Sequence, residues 1–279
     1  MTGARDDSGG ERATDRWRST RSAAAFLVAT LLALILSAAA PAIELDSKLA
    51  LAAWAVSLSG GYLGIPVVLV LGIAWLCTTG NYFGSRTAMA VLLTGVLLGV
   101  LGGANWSNEH VLKPAVASAR PHIRELARLC VIPTPEEFYA MGDEERRTRE
   151  LRHLFNTQQA AGLLPKLHPL IREHWLVETD YSFPSGHTLA SVTIATAFTL
   201  LGFRLRPRPG WLIWLPLPWA VLVGWSRYLL QVHSTADITG GGLLGILLGL
   251  LVYRSVLWWL NHQRDENQTL NDHTTRTTI

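Results

Sequence analysis

Residues 236–260 read Ala-Asp-Ile-Thr-Gly-Gly-Gly-Leu-Leu-Gly-Ile-Leu-Leu-Gly-Leu-Leu-Val-Tyr-Arg-Ser-Val-Leu-Trp-Trp-Leu. Only Asp237, at one end, and Arg254, near the other, are charged. As a helix rising about 1.5 Å per residue, the stretch outreaches the roughly 30 Å of bilayer hydrocarbon. Gly241, Gly245 and Gly249 recur every fourth residue, a spacing that lets helices approach closely, read here as packing within one chain rather than dimerisation. Five further spans follow from the same test, at residues 22–43, 62–79, 87–108, 187–203 and 211–229. Pro216 and Pro218 interrupt the last of these, which a bundle tolerates if neighbours satisfy the freed carbonyls. The expected fold is all-α, a six-transmembrane-helix bundle.

Composition agrees. Of the 279 residues 49% are hydrophobic and 16% charged, against about 25% charged in soluble domains. The eleven Trp suit membrane–water interfaces. Five Arg crowd the first 21 residues, at positions 5, 12, 16, 18 and 21. Because the run abuts an apolar stretch, orienting a membrane helix explains it more cheaply than binding nucleic acid. Ala38-Ala39-Ala40 resembles a signal-peptide cleavage site, but the long apolar run and long polar leader favour a retained first helix. Cys77 and Cys130 are too few for a disulfide framework and read as structural.

Organisation follows from the polar stretches. Residues 1–21 form a polar tail expected to be disordered, and 261–279 a second polar tail. Residues 44–60 look interfacial. Residues 113–183 are the one long polar region between spans, a cap with helix expected over 136–160. Six spans put both termini on one side. Arg86, Arg204, Arg206, Arg208, Arg254 and Arg264 fall on that side, so both termini are predicted to be cytoplasmic and the cap external.

Three clusters carry ionisable residues at span ends, where they are costly and tend to be functional. The first is Lys113-Pro-Ala-Val-Ala-Ser-Ala-Arg120-Pro121, two cations two helical turns apart on one face. They suit phosphate oxygens, although snorkelling cations after a span are commoner. The second is Phe183-Pro184-Ser185-Gly186-His187-Thr188, where the N–H groups of Ser185, Gly186 and His187 open a helix N-terminus toward an anion. Ser185 is equally a plain cap, or a nucleophile beside His187. The third is Ser226-Arg227-Tyr-Leu-Leu-Gln-Val-His233-Ser-Thr-Ala-Asp237. His233 and Asp237 sit four apart, so the carboxylate can fix the imidazole tautomer and leave the other nitrogen free to attack. Metal ligation competes, without a zinc-like Cys or second His–carboxylate pair nearby. The span count brings all three clusters to the same outer mouth, a set that fits phosphoryl transfer by positioning and charge neutralisation.

Lys-x6-Arg-Pro, Pro-Ser-Gly-His and Ser-Arg-x5-His-x3-Asp, in that order, resemble the signature of the type 2 phosphatidic acid phosphatase superfamily. Residues Val131–Tyr139 (Val-Ile-Pro-Thr-Pro-Glu-Glu-Phe-Tyr) and His174–His187 look like its phosphatidylglycerophosphatase B branch, and the likeness covers roughly residues 20–260. The resemblance implies that His233 attacks phosphorus with Asp237 orienting it, and that His187 serves as acid and then base. Lys113, Arg120, Ser185, Gly186 and Arg227 would hold the phosphoryl oxygens, which demotes Ser185 from nucleophile to ligand. It implies no metal, no cofactor, no nucleic acid and no obligate protein partner. The implied substrates are membrane phospholipid and polyprenyl phosphates, in the inner membrane of a bacterium with the cap and active site in the periplasm. Glu178 is a weaker contact candidate, read foremost as a surface carboxylate. A soluble vanadate-dependent haloperoxidase shares such a site but lacks apolar spans. A mere lipid-phosphate binder or transporter has no need of a nucleophile with a separate acid.

Overall fold

The computed structural model describes residues 8–82, 85–157, 162–206 and 210–277, and among these no strand occurs. Helix α1, Ser8–Ile35, takes in part of the leader read as disordered and ends in a 3-10 turn, Leu36–Ala39. Helix α2, Lys48–Ser59, is capped by Ser47 Oγ, which accepts from Ala50 N–H at 3.2 Å. It meets α3, Gly64–Thr79, at a 60° bend. The bend falls at Gly60-Gly61 because nothing larger fits there. A Cβ on Gly60 would lie 2.3 Å from Val223, and one on Gly61 3.0 Å from His187 Nε2. Helix α4, Arg86–Ser107, continues through a π turn, Asn108–Leu112, into α5, Lys113–Val116.

Helix α10, Gly186–Leu205, is the axis of the bundle, with fourteen of its twenty residues buried. It packs against α3, α4, α11 (Pro216–Leu229) and above all α12 (Thr235–Thr277). The α10–α12 contact is the glycine seam expected from the sequence. A Cβ on Gly241 would fall 2.5 Å from Ser185 O, on Gly245 2.8 Å from Leu189 O, and on Gly249 2.8 Å from Thr193 O. The opposite face of α12 presents Leu243, Leu247 and Leu251, each about half exposed, an apolar stripe suited to lipid.

Among the described residues, four helical stretches are long and apolar enough to cross a membrane: Arg21–Ala39, Arg86–Val116, Gly186–Leu205 and Thr235–Asp265. The bent α2–α3 pair makes a fifth if it counts as one. The expected span over 211–229 does not pass by length. It divides into a 3-10 turn, Trp211–Trp214, and the 14-residue α11, about 21 Å long. Pro216 is the reason: it opens α11 at the first helical position, where its missing N–H costs nothing. The described residues thus form an all-helical chain with four to five apolar helices, which fits a membrane protein.

The polar region between α5 and α10 folds as α6 (Pro121–Arg128), α7 (Pro135–Ala140), α8 (Glu144–Phe155) and α9 (Pro169–Val177). The helix expected across 136–160 is broken at Gly142, whose φ of 124° no L side chain adopts readily, and residues 158–161 lie outside the described ones. These helices share an apolar core with α2, built on Ile123, Leu126, Phe138, Leu151, Phe155, Ile171 and Trp175. Trp175 is fully buried and its indole N–H donates to Leu230 O at 2.9 Å, tying this layer to the α11–α12 turn. The ends of α5, α11 and the starts of α10 and α12 meet beneath it. At the far end of the bundle Asn81 N–H donates to Leu205 O at 2.6 Å and Arg206 stacks on Trp75. Arg86 and Arg204 lie at that far end too, while Arg208 is outside the described residues.

Candidate active site

Lys113 and Arg120 reach one place by a route other than the one their spacing suggests. They do not share a helix face, because α5 ends at Val116 and Ala117 turns left-handed at φ 49°. Arg120 is extended and opens α6, where Pro121 takes the first helical position. Both side chains are buried and converge on Asp180, which accepts from Lys113 Nζ and Arg120 Nη2. Lys113 also bonds Glu109 at 2.7 Å, and Arg120 Nη1 lies 2.6 Å from Glu178 Oε2.

Arg227, near the end of α11, is fully buried. Its guanidinium donates to Ser57 Oγ at 2.8 Å, to His174 Nε2 at 2.9 Å and to Glu178. All three expected cations are therefore in one cluster, bridged by two carboxylates. Burial alone would raise the Glu178 carboxyl, but Arg120 and Arg227 override it and hold it well below the usual range. Asp180 is likewise pushed up by burial, and Arg120 and Lys113 bring it down to about 2.

His233 follows the turn out of α11. Gln231 is left-handed at φ 59°, which folds the chain so that Arg227 O accepts the N–H groups of both Val232 and His233 at 3.2 Å. His233 Nε2 faces Arg120 Nη1 at 3.3 Å. A guanidinium only donates, so this nitrogen carries the lone pair and Nδ1 carries the proton. Nδ1 stands 3.8 Å from Asp237 Oδ2, too far for a direct hydrogen bond. Ser182 fills the gap, with its Oγ 3.3 Å from His233 Nδ1 and donating to Asp237 Oδ2 at 2.6 Å. Ser234 N–H donates to the same carboxylate oxygen at 2.6 Å. Burial and then Arg120 lower His233 to about 4, which favours the neutral ring at pH 7. A cavity of about 520 Å³ between Pro41, Arg124, Gln231 and Ser234 opens onto it.

Ser185 caps α10. Its Oγ accepts from Thr188 Oγ1 at 3.0 Å and from Thr188 N–H at 3.5 Å. Its own N–H is spent on Asp237 O at 3.0 Å, so the expected three-donor nest is reduced to Gly186 and His187. His187 enters α10 beside the Gly60-Gly61 bend and within charge reach of Arg227, Glu178, His233 and His174. Among the described residues no group of three or more His, Cys, Asp or Glu side chains comes together to hold a metal ion.

Residues 87–260, more than half of the chain, match the model of the PAP2 superfamily. The chain belongs to the PAP2 superfamily. It is 32% identical over 151 residues to phosphatidylglycerophosphatase B of Escherichia coli K12, covering 53% of this chain and 52% of that protein. Bacitracin transport permease protein BcrC of Bacillus licheniformis is 40% identical over 100 residues, 36% of this chain and 44% of that one. An undecaprenyl-diphosphatase of Sulfolobus acidocaldarius is 40% identical over 73 residues, 26% and 32% of the two chains. The chain thus spans about half or less of the curated relatives it matches. The phosphatidylglycerophosphatase B likeness read from the motifs is present.

This PAP2 chain brings together Lys113, Arg120, Ser185, Gly186, His187, Arg227, His233 and Asp237 at one end of its bundle. The surface reading of Glu178 is overturned: its side chain is 13% exposed and joins Arg120 to Arg227. Sequence reading missed Asp180, Ser182 and His174. The available signal was position, since two acids and a serine stand within eight residues before the Pro-Ser-Gly-His motif.

The buried histidines make a pH prediction. Burial first, then Arg120, takes His122 to about 3, and burial with Arg227 takes His174 to about 4, beside His233 at about 4. Each binds its proton near pH 6.5 when unfolded, so the unfolded state holds more protons between about 6.5 and 4. Stability present above pH 6.5 is then lost as pH falls through that window. The melting temperature in detergent is expected to drop steeply from pH 6.5 to 4.5. A level profile there would contradict the burial of these rings.

Proposed function

We propose that the protein is an integral membrane lipid phosphatase that works through a phosphohistidine. The observation that supports it most is the convergence of Lys113, Arg120 and Arg227 on Glu178 and Asp180, with Arg120 against the lone-pair nitrogen of His233 and the carboxylates seated where phosphate oxygens would bind. Three cations and the first N–H groups of α10 suit a phosphoryl group. His233 Nε2 forms a bond to phosphorus while the ester P–O bond breaks, and the leaving oxygen takes a proton from His187. Water then attacks phosphorus and gives its proton to His187, the P–N bond breaks, and phosphate leaves with His233 neutral again. Asp237, through Ser182, holds the His233 Nδ1 proton in place and balances the positive ring. Lys113, Arg120, Ser185, Gly186 and Arg227 hold the phosphoryl oxygens.

The substrates we assign are lipid phosphate monoesters and diphosphates. They include phosphatidylglycerophosphate, undecaprenyl diphosphate, phosphatidic acid, lysophosphatidic acid and diacylglycerol pyrophosphate. A dedicated undecaprenyl-diphosphate phosphatase is the second reading, favoured by the likeness to the Sulfolobus protein. Phosphate release by purified protein across this panel separates them. Release from every member supports the broad reading, release from undecaprenyl diphosphate alone the narrow one, and release from none defeats both.

The proposed topology has six spans, with the 3-10 turn and α11 as a short fifth that reaches the far side through Trp211–Trp214. Polar tails at 1–21 and 261–279 lie in the bacterial cytoplasm, and the α6–α9 cap in the periplasm. The domain is 22–260 with the cap at 113–183. Cys77 is buried and Cys130 exposed in the cap. A membrane-impermeant thiol reagent added outside intact spheroplasts should label Cys130, and labelling only after lysis would reverse the orientation.

A further inference from the structure

We propose that Asn108 is a further substrate-contacting residue, its amide donating to a phosphoryl oxygen held at the start of α10; this rests on the phosphatase reading above. Asn108 is 1% exposed, yet its Oδ1 has no hydrogen-bond partner among the described residues. Its Nδ2 makes one long contact, 3.4 Å to Glu109 Oε1. A buried amide left so poorly paired is unusual and destabilising. An apolar residue would serve packing better at this place.

Backbone geometry gives the reason for its position. Lys113 N–H donates to Asn108 O, an i to i+5 bond that closes the π turn between α4 and α5. In a regular α-helix residues five apart lie about 140° round the axis from one another. The extra residue brings Asn108 and Lys113 toward one face, and such single π turns recur at functional sites. The amide is thereby carried to the same side as the Lys113 ammonium.

The place it reaches is the helix N-terminus. A Cβ on Gly186 would lie 3.4 Å from Asn108 Nδ2, so the amide rests against the first residue of α10. There the N–H groups of Gly186 and His187 are the orphan donors of the first turn. Nδ2 and Oδ1 can exchange by a flip about the last side-chain bond, so the amide can turn a donor toward a bound phosphoryl oxygen. As an uncharged donor it adds a contact without adding to a cluster already holding three cations.

The test compares wild type, His233→Ala, Asn108→Asp and Asn108→Ala. Two readouts are used: kcat/KM for lipid phosphate, and the rise in melting temperature caused by orthovanadate, which requires no turnover. Asn108→Asp keeps the shape but faces the phosphate with an acceptor. Both Asn108 variants are expected to lose about 10²-fold in kcat/KM, as for removal of one preorganised donor. Both should also lose most of the vanadate-induced shift. Retention of both readouts within twofold overturns the proposal, and so does lost activity with a full vanadate shift. Failure of the phosphatase reading looks different, because wild type then releases no phosphate or His233→Ala still does, and the vanadate shift alone decides on Asn108. If the Asn108 variants do not fold, Gly186→Ala carries the test. Its methyl would meet the amide at 3.4 Å, the limit of van der Waals contact, and so restrict its turn toward a bound phosphoryl oxygen; both readouts should weaken several-fold, and an unchanged vanadate shift overturns the proposal.

Discussion

His233→Ala is expected to abolish phosphate release, lowering kcat/KM by on the order of 10⁴-fold or more, while the protein still inserts and folds. The size follows from the proposed chemistry, in which without Nε2 no bond to phosphorus forms and the cations only bind. His187→Ala should lose about 10²–10⁴-fold, the usual share of a general acid or base. The two losses have different signatures. With an aryl phosphate whose leaving group needs no proton, the His187 variant should still phosphorylate His233 and stall before hydrolysis, giving a burst of one aryl alcohol per site. Rapid acid quench reads that burst. Near-wild-type turnover by the His233 variant removes the nucleophile assignment altogether.

Arg120→Ala is expected to do two kinds of damage. It takes away a proposed phosphate ligand, and it also strips Glu178 and Asp180 of a shared partner at a site where Arg120 is 2% exposed. Removing one member of a buried ion pair costs about 3–5 kcal/mol because the other charge stays buried and uncompensated. Arg120 further donates to the carbonyls of Asp180 and Val232, so the loop before α10 and the turn before α12 both lose an anchor. The apparent melting temperature should fall well below wild type, and Arg120→Ala with Asp180→Ala should recover part of it while activity stays lost. Unfolding of the single variant at the wild-type temperature would show that the carboxylates find other partners. The double variant separates the two effects because it repairs the charge balance without restoring the phosphate ligand.

The outline of this molecule was readable because lipid imposes a length, and apolar runs such as 87–108 and 236–260 declare themselves by hydropathy alone. The glycine seam at 241, 245 and 249 was readable for a related reason, since its period matches one helix face. What escaped was set by contacts between distant residues. Nothing in the run Lys113–Arg120 announces a left-handed Ala117, so spacing alone puts the two cations on one helix, whereas they meet across a turn. Glu178 and Asp180 look like loop acids until the fold carries them to Arg227 and Lys113, 49 and 67 residues away. Ser182 carries no chemical signal in the sequence, yet it stands between His233 and Asp237, which i, i+4 spacing alone puts in direct contact. The motif residues were legible because their chemistry is conspicuous at span ends. Their partners were not, because a carboxylate in a polar loop is ordinary until its neighbour is known.

The glycine seam has a mechanical side. Along it α10 and α12 touch backbone to backbone, and these are the helices whose first turns carry His187 and Asp237. No rotamer can absorb a change there, so a methyl group acts as a wedge between two stiff rods. Gly249 lies twelve residues beyond Asp237, about 18 Å along the axis. A displacement at that depth reaches the site end of the two helices as a change in tilt, so the seam governs how α10 and α12 present His187 and Asp237 to one another.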